Sequence, residues 1–190
     1  MDSIVNYFEK EFNLSEIEKA KLEYSLNVLF TDISKLLILF IIFSIFGKVK
    51  EFLFSMLALL SIRPFTGGLH FNTYLGCFIF TGLFFSSVIT LYNLVALSNY
   101  STFIFAFSFI TTLTIAPIIH KNRPSYSKHK LKQFKVMGLA NISIHFLLYF
   151  LAPENPYLNI SAWVILLQSI QLIIKKGVEI FEKKNSKVIM

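Results

Sequence analysis

The sequence predicts an all-α fold, a polytopic membrane helical bundle of about six transmembrane segments with an N-terminal amphipathic helical region. Three observations predict it. Hydrophobic residues fill 55% of the 190 positions, 22 Phe among them, and the mean hydropathy is +0.63, which is not the composition of a soluble domain. Apolar runs recur at about 26–46, 51–62, 71–97, 102–119, 136–152 and 160–174, and those near 20 residues have the length of membrane-spanning helices. Lys and Arg gather in some of the connections between them and are missing from others, the asymmetry that sets the orientation of membrane spans. The chain is accordingly expected to be a single integral membrane domain, with amphipathic helices over 1–25, a transmembrane bundle over 26–174 and a basic cytoplasmic tail over 175–190.

Residues 1–25 carry three Lys and six acidic residues, and Ile4, Val5, Phe8 and Phe12 share one helical face. Helices of this kind lie on a membrane surface or pack under a bundle, and net acidity favours packing or peptide contact over anionic lipid. Ser15 and Glu18 have the spacing of a capping box, so a second helix is expected to start at Ser15. The segment lacks the basic start, apolar core and small-residue cleavage site of a signal peptide, and is expected to stay on the mature protein. After the first span comes 51–62, which would cover only about 18 Å as a helix against a hydrocarbon core of about 30 Å. It is expected to be a short span or a re-entrant hairpin. Pro64 is expected to end it, and Gly67-Gly68 to supply a sharp turn.

The loop 120–135 holds Lys121, Arg123, Lys128, Lys130, Lys132 and Lys135, and the tail holds Lys175, Lys176, Lys183, Lys184 and Lys187. Both are expected in the cytoplasm. The connections 98–101 and 153–159 have no Lys or Arg, with Tyr100, Tyr157 and Trp163 nearby as interfacial aromatics, and are expected outside. The helix over 71–97 then begins at the cytoplasmic side. Lys48 and Lys50 disagree, because six spans with a cytoplasmic N-terminus put them outside.

Cys77 is the lone cysteine, which rules out an internal disulfide and a Cys-rich metal site. It closes a stretch, RPFTGGLHFNTYLGC over 63–77, that holds Arg63, Thr66, Gly67, Gly68, His70 and Asn72. A thiol following a histidine is the pattern of a nucleophile and its base. On a straight helix seven residues span about 10.5 Å, too far for the proton transfer such a pair needs. Residues 63–72 are therefore expected to be non-helical, with Asn72 or Thr73 capping the helix that contains Cys77 and His70 folded over its first turn. Backbone N–H groups at that helix start would then point toward a thiolate or an oxyanion, and Asn72 and Thr66 could orient the imidazole. The residues also admit a structural reading: an inert apolar Cys, an interfacial His, a snorkelling Arg63, and glycines that only permit a turn. His120 and His129 flank the basic loop, and His145 stands alone in a span as a packing residue.

Arg, three residues, Gly-Gly, one residue, His, six residues, Cys, at the start of a long apolar helix in a chain of 190 residues, resembles the accessory gene regulator protein B (AgrB) family. These are bacterial membrane peptidases that process quorum-sensing propeptides. The resemblance implies Cys77 and His70 as the catalytic pair, with Arg63, Gly67 and Gly68 in support; Phe71 departs from the small residue the family often has after the histidine. It implies cleavage near the C-terminal end of an AgrD-like propeptide through a thioester on the enzyme, then cyclisation to a thiolactone or lactone precursor of an autoinducing peptide. Implied too are a bacterial cell membrane location with the site opening inward, a homodimer, and partners limited to propeptide and membrane lipid, without nucleic acid, cofactor or metal. Lys128, Lys130 and Lys132 either enforce topology and touch anionic lipid or attract an acidic propeptide tail. Two other classes use the same features: a small transporter or export subunit, with discontinuous segments near Pro64 and Gly67 like the broken helices of transport sites, and a non-catalytic membrane partner that docks through its termini.

Overall fold

The computed structural model describes residues 2–69, 71, 73–95, 100–119 and 126–188, and every regular element among them is a helix. The chain divides into two compact units, Met1–Gly47 and Lys48–Met190.

The first unit is a helical pair, α1 (Asp2–Phe12) and α2 (Glu16–Ile45). Asn13, with φ of +47°, ends α1. Ser15 then caps α2 as its spacing predicts: the Ser15 hydroxyl accepts the Glu18 N–H at 3.4 Å, and the Glu18 carboxylate accepts the Ser15 N–H at 3.0 Å. Lys19 reaches back to Glu9 across the pair at 2.8 Å. α2 continues without a break from this polar start into the apolar run. Its 30 residues make a helix of about 45 Å, half as long again as a hydrocarbon core. Lys35 and Asp32, one turn apart, pair at 2.6 Å, which keeps two charges tolerable in an apolar helix.

The second unit holds α3 (Val49–Thr66), α4 (Tyr74–Leu94), α5 (Ser101–Ile115), α6 (Lys128–Leu151) and α7 (Pro156–Val188). α7 packs against α3, α4, α5 and α6, and 56% of its apolar stretch is buried against 17% for α6, so α7 is the axis of this bundle. Between α3 and α4 the core is aromatic: Phe52 and Phe85, both fully buried, meet edge to face at 5.0 Å.

Among the described residues four helices, α2, α4, α6 and α7 up to Glu182, are long and apolar enough to cross a membrane; α5 is apolar but has 15 residues. The second apolar segment is neither a hairpin nor confined to 51–62. It is one continuous 18-residue helix, α3, that passes through Pro64 to Thr66. Proline removes its own N–H and crowds the Leu60 carbonyl one turn back, but the residues after it keep their donors, and the Gly67 N–H still reaches the Arg63 carbonyl at 2.9 Å. The expectation that 63–72 is wholly non-helical therefore fails for 63–66. The basic stretch 120–135 is likewise not all loop: Ser127 caps α6, its hydroxyl accepting the Lys130 N–H at 3.2 Å, and Lys128, Lys130, Lys132 and Lys135 lie on helix. Beyond the last apolar run, α7 stays helical through the basic segment to Val188.

Candidate functional site

At the C-terminal end of α3 the chain must turn in a space with no room for a side chain. Gly67 adopts φ of +80° and ψ of −158°, a conformation open in practice only to glycine. A Cβ there would lie 2.0 Å from the backbone oxygen of Ile118. The close approach is fastened beside it, where the Ile118 N–H donates to the Thr66 carbonyl at 3.0 Å. The turn is thus a contact between the end of α3 and the segment following α5. Gly68 lets a second contact form: a Cβ on it would stand 3.3 Å from the Arg63 guanidinium carbon and 3.4 Å from the Gln171 side-chain oxygen.

α7 holds this turn through two glutamines three residues apart, hence on one helical face. Gln168 Nε2 donates to the Gly67 carbonyl at 2.6 Å and to the Thr66 hydroxyl at 3.1 Å. Gln171 Oε1 accepts from Arg63 Nη1 at 3.3 Å, while Arg63 Nη2 donates to the Leu69 carbonyl at 2.9 Å. The partners fix both amide orientations, since a carbonyl requires a donor and a guanidinium an acceptor. Both glutamines are buried, at 1% and 4% exposure, and the outer atom of each, Gln168 Oε1 and Gln171 Nε2, has no hydrogen-bond partner among the described residues. An orphaned polar atom of this kind costs about 1–3 kcal/mol.

Cys77 occupies the first turn of α4, the expected position. Thr73 is the N-cap, its hydroxyl accepting the Gly76 N–H at 3.2 Å, so of the two residues expected as cap it is Thr73 that serves. The Cys77 N–H is taken by the Thr73 carbonyl at 3.1 Å and its carbonyl by the Thr81 hydroxyl at 2.8 Å. Its thiol is free of any disulfide, and the residue is buried. Phe71 folds back over this turn: its Cβ would be 3.3 Å from a Cβ on Gly76, and its ring meets Phe80 at 5.2 Å.

Arg63, Thr66, Gly67 and Gly68 thus form one network, and Cys77 stands at the head of the next helix. His70 and Asn72 lie outside the described residues. Thr66, suggested above as an orienter of the imidazole, is buried with its hydroxyl engaged by Gln168 and within 3.2 Å of the Ile62 carbonyl. Lys128, Lys130 and Lys132 are exposed and take no part in the network; the Lys130 ammonium sits 5.3 Å above the Phe134 ring. Among the described residues His145 is only half satisfied as a packing residue, with Nε2 3.0 Å from the Ser61 hydroxyl and Nδ1 buried without a partner. Gln168 and Gln171 were not among the residues the motif singled out. Their signal was polarity inside the apolar run 160–174, which in a membrane segment points inward.

The family model described as Accessory gene regulator B matches residues 1–172. An AgrB-like protein of Clostridium beijerinckii is 34% identical over 186 residues, covering 95% of this chain and 91% of its own. A second AgrB-like protein, of Clostridium perfringens, is 29% identical over 174 residues, covering 90% of this chain and 93% of its own. No solved structure matches the chain.

Proposed function

Because the chain belongs to the accessory gene regulator B family and is a membrane protein of that quorum-sensing system, we propose that it is a membrane-embedded cysteine endopeptidase. Its substrate is an AgrD-like propeptide, cut near the C-terminal end and cyclised to the precursor of an autoinducing peptide. One observation carries the reading: the lone cysteine stands in the capped first turn of an apolar helix, after a turn built around a glycine whose conformation and close approach to Ile118 leave no room for a side chain. Negative charge is favoured at a helix N-terminus, so a thiolate at Cys77 meets the positive end of α4.

In this mechanism His70 takes the thiol proton and Cys77 Sγ attacks the scissile carbonyl. The tetrahedral intermediate collapses as His70 protonates the leaving amine, and the C-terminal fragment departs, leaving a thioester on Cys77. A thiol, or a hydroxyl, within the propeptide then attacks the thioester carbonyl. The ring closes as a thiolactone or lactone and Cys77 is regenerated. Thioester exchange is close to thermoneutral, so opening the amide is the uphill step. Burial keeps out the water that would hydrolyse the intermediate. The site opens to the cytoplasm, the enzyme works as a homodimer, and Lys128, Lys130 and Lys132 face anionic headgroups.

The test is co-expression with a tagged propeptide encoded beside the chain's gene, followed by mass spectrometry of the membrane fraction. An acyl adduct on Cys77 that is absent from Cys77→Ala, with cleavage lost in both Cys77→Ala and His70→Ala, is the expected result. Equal processing by wild type and Cys77→Ala refutes the mechanism.

A further inference from the structure

We propose that Gln168 and Gln171 are positioning residues for the acyl-transfer reaction. From α7 they hold the 67–69 segment that leads directly into His70. The inference rests on the peptidase reading and adds to it two residues more than 90 positions away in sequence from the His–Cys motif.

The two glutamines grip the segment at both ends. Gln168 binds the Gly67 carbonyl at 2.6 Å. Gln171 binds Arg63 at 3.3 Å, and Arg63 in turn binds the Leu69 carbonyl at 2.9 Å. Two alternate peptide carbonyls of one turn are therefore referred to a single helical face. The same helix packs against α4, which carries Cys77. α7 is thus a common reference for the segment preceding the base and for the helix bearing the nucleophile, and a clamp on either glutamine sets the register between them.

The unpaired ends argue that this face is kept for geometry rather than for stability. Gln168 Oε1 and Gln171 Nε2 are both buried without partners among the described residues. Each bond these amides make is offset by an orphaned atom, so a contact whose role was packing alone would do about as well with apolar side chains on both sides of it. Retaining two such groups three residues apart, each turned by its partner so that one amide donates and the other accepts, is the arrangement expected of a device that fixes a backbone.

The experiment uses the full-length protein in phosphatidylglycerol-containing vesicles and the propeptide encoded beside its gene. Initial rates and thermal midpoints are measured for wild type, Cys77→Ala, Gln168→Met, Gln171→Met and Gln171→Glu. Each methionine variant is expected to lower kcat about 100-fold, the effect of an ångström-scale misplacement of reacting groups. KM stays within about twofold of wild type, since neither residue touches substrate, and the thermal midpoint falls by only a few degrees, about what the loss of one hydrogen bond gives in a chain of this size. Gln171→Glu keeps an acceptor for Arg63 and is expected to recover kcat to within about tenfold of wild type. Should a methionine variant fail to fold, Gln168→Asn, too short to reach the Gly67 carbonyl, is expected to show the same loss of kcat. Wild-type kcat in folded Gln168→Met and Gln171→Met, beside an inactive Cys77→Ala, overturns the positioning role alone. An active Cys77→Ala overturns the peptidase reading and this role with it. A fall in kcat matched by an equal fall in thermal midpoint for every variant, Gln171→Glu included, makes the glutamines merely structural and overturns the proposal.

Discussion

Alanine substitution at three glycines separates backbone strain from loss of space, and Gly67 carries both. With φ of +80° and ψ of −158°, an alanine at 67 is strained by about 1–3 kcal/mol before any contact is considered. Its Cβ also meets the Ile118 carbonyl oxygen at 2.0 Å. That atom is backbone and cannot rotate away, so the 116–119 segment must retreat by about 1 Å to reach an ordinary contact distance of roughly 3 Å or more. Retreat breaks the Ile118 to Thr66 bond of 3.0 Å and stretches the Gln168 to Gly67 bond of 2.6 Å, each contributing about 1 kcal/mol. Gly67→Ala is therefore expected to destabilise by about 3–5 kcal/mol. For a chain of this length that lowers the thermal midpoint by on the order of 10 °C. Gly47, with φ of +66° and nothing within 4 Å of a Cβ, isolates the strain, and its alanine variant is expected to cost about 1–2 kcal/mol. Gly177 is helical with nothing within 4 Å, and Gly177→Ala is expected to gain about 0.5–1 kcal/mol. Helical circular dichroism of the purified protein in detergent, followed through heating, measures all three. A Gly67→Ala midpoint equal to or above that of Gly47→Ala refutes the reasoning, because the collision with Ile118 would then have no energetic consequence.

Two other expectations follow from groups outside the proposed dyad. The Ser61 hydroxyl stands 2.7 Å from the Ala58 carbonyl and 3.0 Å from His145 Nε2, while Nδ1 is buried without a partner among the described residues. Ser61→Ala is expected to cost about 1–3 kcal/mol by orphaning the second nitrogen too, and His145→Leu in that background to restore most of it; strictly additive melting shifts in the double-mutant cycle would show that the two groups are not coupled. Converting Lys128, Lys130 and Lys132 together to Gln is expected to leave KM for the propeptide within about twofold, as befits exposed cations over headgroups. A tenfold rise in KM that fades at high salt, with insertion intact, would assign them to the propeptide instead.

The helix order was legible because each apolar run carries its own signal, and two of the helix starts were legible because caps are local chemistry. Ser15 with Glu18 and Thr73 before Tyr74 bring the atoms they need within three residues of chain. Helix ends were less legible, since hydropathy marks the part of a helix that meets lipid and says nothing of how far hydrogen bonding continues. α2 begins ten residues before its apolar run, α6 begins on a cluster of lysines because Ser127 can cap it, and α7 runs on through Lys175 and Lys176. α3 passes Pro64 for a related reason. The penalty of a proline is one N–H and one clash, both directed back at the Leu60 carbonyl, and the residues after it keep their own donors. The motif could be located from spacing alone, but the reason for Gly67 could not, because Ile118, the atom group that excludes a side chain, is 51 residues away.

The polar face of α7 inverts the rule that works for soluble proteins. In water, Ile173 and Ile174 would be the residues to place in a core and Gln168 and Gln171 the ones to expose. Here the isoleucines are 42% and 50% exposed while the glutamines are buried, and Ser55, Thr66, Ser108 and Thr112 on the neighbouring helices are buried at 1% exposure or less. Lipid solvates an isoleucine as well as another helix does, so apolar side chains have little preference between the two. A glutamine amide has a strong one, because hydrocarbon offers it no partner. In such a chain the interior is therefore marked by its polar residues, and the positions where a polar side chain interrupts an apolar run are where contacts between helices should be sought. Applied to 160–174, that rule selects Ser161, Gln168, Ser169 and Gln171, all four of them buried. The two with side chains long enough to reach another helix are the two that hold the turn at Gly67.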